Sequence, residues 1–111
     1  MPVEVHVAGR VEAGRFAEFL TAADRWSEYR VGAGYVEPRL LQGLSGEMNS
    51  VVLVFEYDDL GAYEREEERV LTDEEYVRLA TAMPFDGPLH YSLFRKVPRV
   101  HGGRAHQPLV P

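Results

Sequence analysis

Two short stretches put acid–base side chains at the spacing a strand needs to present them together. In "MPVEVHVAG" Glu4 and His6 are two residues apart, and in "LHYSLF" so are His90 and Ser92. Alternate residues of an extended chain share one face. A histidine beside a carboxylate is a poised base, its pKa set by burial and by the neighbouring charge. The same pair also reads as a half-buried, hydrogen-bonded histidine next to a solvent-facing Glu4. His90 and Ser92 share one face of the last strand, and the topology is expected to bring His90 toward His6 or Glu56. His6, His90 and Glu56 together have the donor types of a facial metal triad, but they come from separate strands without diagnostic spacing, so no metal is expected. A second group, Trp26, Tyr29 and Tyr35, gathers aromatic surface near the end of a helix, with Arg39 beside it. Such residues either line a pocket for a flat ligand or form ordinary core. Arg39 either pairs with a carboxylate or phenolate of that ligand or makes a surface ion pair.

The elements that position these residues follow from periodicity. Val3, Val5 and Val7 alternate with Glu4, His6 and Ala8, the period of a strand. Phe16, Phe19, Leu20, Ala23 and Trp26 recur at helical spacing, and "VGAG" at 31–34 ends that helix. Residues 35–44 read as a second strand, which Pro38 places at an edge or at a bulge. "SGEMN" supplies the hairpin connection, with Asn49 at a turn position that tolerates positive φ. Residues 50–57 form a third strand, and Asp58 or Asp59 caps the helix that follows. Thr72 and Glu75 have the spacing of a capping box, which predicts a further helix carrying Tyr76, Leu79, Ala80 and Met83. "MPFDGP" breaks it, and 89–97 is a fourth strand. The run Glu64–Arg69 is expected on a solvated helix face, with Arg65/Glu68 and Glu66/Arg69 as i,i+3 pairs.

The order β-α-β-β-α-β is ferredoxin-like, an α+β fold with a four-stranded antiparallel sheet over residues 1–97. Residues 98–111, rich in Pro and Gly, read as a tail that is either free or anchored on a partner through Leu109 and Val110. Helices cover one face of such a sheet, yet the third strand has no solvent face. Val51, Leu53, Phe55 and Tyr57 lie on one side, and Val52, Val54 and Glu56 on the other. Leaving several such side chains wet forfeits several kcal/mol at about 25 cal/mol per Å². Packing the open face against a second copy removes that cost, so a homodimer is expected.

Totals narrow the partners. The chain has 111 residues, a formal net charge of -6 and no cysteine. Acidic balance argues against nucleic acid, which needs a clustered basic face. Without cysteine there is no disulfide, zinc thiolate or thiol nucleophile. No secretory start and no apolar run near the roughly 20 residues of a membrane span are present, which points to a soluble, cytoplasmic protein without a membrane partner. No phosphate loop or G-x-S-x-G elbow appears, and His101 and His106 lack metal-site spacing.

Across 46–76, "GxxNxVVLxFEYDDLxAYExxEExxLxDEEY" resembles the second half of NIPSNAP-like and antibiotic-biosynthesis-monooxygenase-like proteins, through Asn49, Tyr57, Leu60 and Asp73–Tyr76. These belong to the dimeric α/β-barrel superfamily, and the similarity spans roughly residues 2–97. The resemblance implies two sheets closed into a dimeric α/β barrel, with a cavity in each subunit between sheet and helices. Some relatives oxygenate polyketide-like aromatics without metal or flavin, some degrade haem, and many have no known activity. The Asn, Trp and His set of the haem-degrading members cannot be placed here by motif. Two functions follow as expectations. One is a cofactor-free oxygenase-like enzyme acting on a hydrophobic aromatic compound. In it His6 takes a phenolic proton with Glu4 beside it, Trp26, Tyr29 or Tyr35 stacks on the ring, and Arg39 or His90 steadies the anion, with Glu56 and Ser92 lining the pocket. The other is a non-catalytic dimeric protein that binds a ligand or stabilises an assembly.

Overall fold

A computed structural model of the chain describes residues 1–97. The tail expectation, with His101 and His106, falls outside the described residues. The elements run β1 (Val3–Arg10), α1 (Phe16–Gly32), β2 (Arg39–Gln42), β3 (Ser50–Tyr57), α2 (Leu60–Leu71), α3 (Glu74–Thr81) and β4 (His90–Arg95). All neighbouring strands are antiparallel, in the order β2-β3-β1-β4, the ferredoxin-like topology. The expected closure into a barrel is not found. The sheet is open, with β2 and β4 as its two edges. Four strands cannot bring their outer edges together, since closure needs many tilted strands around a filled interior.

β1 is one of the two inner strands, with its valines covered on one side and polar residues on the other. Val3, Val5 and Val7 are buried beneath the helices with Val51, Leu53, Phe55 and Tyr57 of β3. Phe19, Ala23 and Trp26 of α1 pack onto them, joined by Met83. β2 is shorter than the strand expected at 35–44. Pro38 withholds a ladder N–H just before Arg39, and Tyr35 turns into the core instead.

The second helical segment splits at residues 72–73. Asp59 caps α2 by accepting from the Ala62 N–H at 2.7 Å. Asp73, not Thr72, caps α3: its carboxylate accepts from the Tyr76 N–H at 3.1 Å. Thr72 closes α2 and donates its hydroxyl to the Arg69 carbonyl. The capping box expected at Thr72 is therefore displaced by one residue, because Asp73 is the better acceptor for a free helix N-terminus.

Asn49, just before β3, has φ of 59°, and its carbonyl accepts from the Val11 N–H at 2.9 Å. This left-handed backbone costs most residues about 1–2 kcal/mol, less for Asn and none for Gly. Asn49→Ala is therefore expected to lower stability by about 1 kcal/mol, and Asn49→Gly to leave it nearly unchanged. Urea unfolding reads this as a lower midpoint at constant slope for the alanine variant alone.

Candidate functional site

The sheet separates two regions with different chemistry. On the open face, strand register sets Arg39, Val54, His6 and Ser92 side by side in one row. Glu56, Glu4 and Phe94 form the next row. His6 Nε2 lies 2.7 Å from Glu4 Oε1. A carboxylate only accepts, so Nε2 carries the proton in this pair. The His6 ring rests against Phe94 at 4.8 Å between centroids, and Arg39 Nη2 lies 3.6 Å from the other Glu4 oxygen. Glu56 pairs with Lys96, whose hydrogen bond and charge hold the carboxyl below its usual range. His90 is brought to the same face but not to His6: it stands opposite Ala8 and borders a depression shared with Arg10, Glu47 and Asp86. Among the described residues no group of three or more metal-ligating side chains converges.

On the helix side lies a cavity of about 150 Å³ lined by Val5, Val7, Phe55, Trp26, Tyr63 and Tyr91, among others. Period two dictates this placement, since Val5 and Val7 flank His6 and must point the opposite way. Trp26 and the His6–Glu4 pair, which the sequence suggested as one pocket, are thus on opposite faces of the sheet. Arg39 goes with Glu4 rather than with Trp26. Tyr29 and Tyr35 serve another purpose. Tyr29 donates to both Asp73 oxygens at 2.8 Å, and Tyr35 donates to Asp73 Oδ2 at 2.7 Å. The two phenols tie the end of α1 and the loop after it to the start of α3.

Above the cavity sits a polar cluster that sequence reasoning missed. Arg30 of α1 is 2% exposed and Glu66 of α2 is 9% exposed. Arg30 Nη2 donates to Glu66 Oε2 at 2.5 Å, Nε to the Val36 carbonyl at 2.7 Å, and Nη1 to the Tyr76 hydroxyl at 3.0 Å. Glu66 also accepts from the Val36 N–H at 2.8 Å and from the Tyr57 hydroxyl. Burial, and then the bond to Glu66, push the Tyr57 phenol far up, so it stays a neutral donor. The Arg30 guanidinium lies 4.7 Å from the Phe55 ring centre and 5.4 Å from that of Trp26. Glu66 therefore does not form the solvated pair with Arg69 that its spacing suggested. Arg69 instead stacks on Tyr35 and donates to the Ala33 carbonyl. The signal was present in the sequence. Arg30 continues the Phe19–Ala23–Trp26 stripe of α1, and Glu66 lies between Tyr63 and Val70 on the stripe of α2. Opposite charges on two apolar stripes imply a buried pair.

Removing one partner of such a pair strands the other charge. Glu66→Ala is expected to lower unfolding free energy by about 3–5 kcal/mol, measurable by urea denaturation. The Asp73 clamp has a pH signature. Its hydrogen bond, then burial, raise Tyr29 to about 12, and Tyr35 is raised for the same reasons. Raised folded-state values mean that this stabilisation is complete below the unfolded phenol value of about 10 and is lost as pH climbs toward 12. Asp73→Asn retains a capping side chain but removes the charge, so stability should fall less steeply across that window than in the parent. Denaturant midpoints measured at several alkaline pH values test this.

No family model and no curated protein matches the chain. Solved structures do. A NIPSNAP domain protein from Burkholderia xenovorans is 24% identical with a TM-score of 0.71, covering 87% of this chain and 95% of that one. A NIPSNAP family protein from Agrobacterium tumefaciens is 10% identical with a TM-score of 0.73, covering 92% and 97%. A putative antibiotic biosynthesis monooxygenase from Bordetella bronchiseptica is 15% identical with a TM-score of 0.68, covering 86% and 97%. Among the described residues no helix is long and apolar enough to cross a membrane. At these identities the likeness is one of fold: the chain shares the NIPSNAP-like and antibiotic-biosynthesis-monooxygenase-like architecture over nearly its whole described length.

Proposed function

We propose that this protein is a non-catalytic binder of a small hydrophobic molecule and works as a homodimer. The observation that carries the reading is the separation of the helix-side cavity from His6 and Glu4 by the thickness of the sheet. A ring held against Trp26 and Phe55 is out of reach of His6 and Glu4. It meets valine, aromatic and phenolic surface instead, the lining of a binding site. A volume of about 150 Å³ suits an occupant of roughly one ring.

The dimer is supported by the open face. Leu41 and Phe94 there are 48% and 50% exposed, and Val52, paired with Leu41, is half-buried. A second copy laid on this face covers these side chains and satisfies the expectation that both sides of β3 are dry. Phe94→Glu places a charge in that contact. It is expected to weaken association by roughly 100-fold, measured by sedimentation or light scattering across micromolar concentrations. A parent protein that is monomeric at those concentrations overturns the dimer.

The 2.7 Å His6–Glu4 contact favours a second reading, a cofactor-free, oxygenase-like reaction on a phenolic compound at the open face. There His6 would be the base, Glu4 its orienting carboxylate, and Arg39, Ser92 and His90 the polar surroundings. Thermal-shift screening against quinols and aromatic polyketides, followed by His6→Ala, separates the two. Binding that survives the substitution without any turnover in the parent supports the binder. Turnover that His6→Ala abolishes supports the enzyme.

A further inference from the structure

Beyond Ala62, the residues of α2 that are not exposed are Tyr63, Glu66, Glu67 and Val70, the i, i+3, i+4, i+7 stripe of a helix face. Two consecutive carboxylates thus turn inward. Glu66 is consumed by Arg30, Tyr57 and the Val36 N–H. Glu67 is half-buried, yet no hydrogen bond or ion pair engages it among the described residues. Burial first, and then the Glu66 charge, hold its carboxyl above the ordinary value. After burial, the Glu67 charge also raises Tyr63 and Tyr91, so the three side chains are neighbours. Both phenols line the 150 Å³ cavity, and Tyr91 of edge strand β4 is 58% exposed, so the cavity opens between α2 and β4. Glu67 stands at that opening, one turn beyond Tyr63 on the same helix face. The buried Trp26 indole N–H also lacks a partner among the described residues, but less than 1 Å² of its nitrogen is accessible and no ligand can be placed on it.

Resting on the binding reading of this cavity, we propose that its occupant is a small arylalkylamine, with the ring inside against Val5, Val7 and Phe55 and the ammonium at the opening beside Glu67. A carboxylate held half out of water has lost hydration that a cation replaces. Arg30 does not supply it, because its donors go to Glu66, Tyr76 and the Val36 carbonyl. Arg95 shares the helix-side face of β4 with Tyr91 but lies four residues on, opposite Val3 at the end of the strand. An ammonium brings three donors, and phenol rings beside it add attraction to their π faces. An aryl carboxylate is disfavoured by like charge. A neutral ring of the same shape fills the space without meeting Glu67, so discrimination comes from the charge rather than from size.

Benzylamine and benzyl alcohol are near-isosteres that differ in charge, and titrating both into the unaltered protein at neutral pH tests the inference. Binding is read from the methyl resonances of Val5, Val7 and Leu53, which line the cavity, and affinity from calorimetry. Benzylamine is expected to bind about tenfold tighter, the contribution of one charge-assisted hydrogen bond in a partly wet site. Glu67→Gln keeps the shape and the helix propensity, and should bring the ratio to about one by weakening the amine alone. Glu68→Gln removes the same charge from the exposed face of α2 and should leave the ratio unchanged. If benzylamine is no tighter than the alcohol in the parent, or if its advantage survives Glu67→Gln or is lost equally in Glu68→Gln, the amine inference fails while the cavity stands. If neither compound perturbs those methyls, the binding reading itself fails and takes this one with it.

Discussion

The rest of the fold hangs on the ion pair between Arg30 and Glu66. One guanidinium and one carboxylate join five separate pieces of chain: α1, α2, the last residue of β3 through Tyr57, α3 through Tyr76, and the backbone at Val36 on both its N–H and its carbonyl. Burying two charges is expensive, and a pair of this kind gives back its desolvation only when every remaining donor and acceptor is used. Here both carboxylate oxygens and three guanidinium nitrogens are used. The result is a helix layer held at one position over the sheet. That position decides how much space remains between Trp26, Phe55 and the β1 valines.

The sheet then imposes the division of labour. In an antiparallel strand with period two, a residue that packs under a helix cannot also meet the neighbour that precedes it. Val5 and Val7 belong to the cavity, so Glu4 and His6 belong to the other face, beside Arg39 and Phe94. Any chemistry of the His6–Glu4 pair must therefore act on something outside the helix-side cavity. The helix-side cavity is walled by valines, Phe55, Trp26 and the phenols instead.

The element order and the sheet faces were legible from the sequence because they depend on local alternation: valine spacing in β1, the stripe of α1, the mixed faces of β3. What was not legible was which elements meet. Trp26 and His6 were gathered into one pocket because their types suit one reaction, although the alternation of Val5, His6 and Val7 already put them on opposite sides. Tyr29 and Tyr35 looked like ligand surface. Their hydroxyls are taken by Asp73, 38 residues or more away along the chain, a contact no local pattern encodes. The barrel came with the resemblance rather than from these residues, and one chain's four strands form an open sheet. Arg30 and Glu66 were readable in principle, as charges in phase with apolar stripes. Glu66 was missed because it lies in a run of charges whose surface explanation suits every neighbour but that one.

The ion pair and the indole donor are linked. Arg30 draws π faces around itself, with Trp26, Phe55, Tyr35 and Tyr76 all within cation–π range. Aromatic rings solve the problem of lodging a guanidinium in a core, because they offer negative electrostatic faces without further buried acceptors. They solve it poorly for an indole N–H, which needs a lone pair to replace the water it lost. The environment that steadies the charge is thus the one that leaves Trp26 short of a partner. A phenylalanine would fit that cation box without creating the deficit.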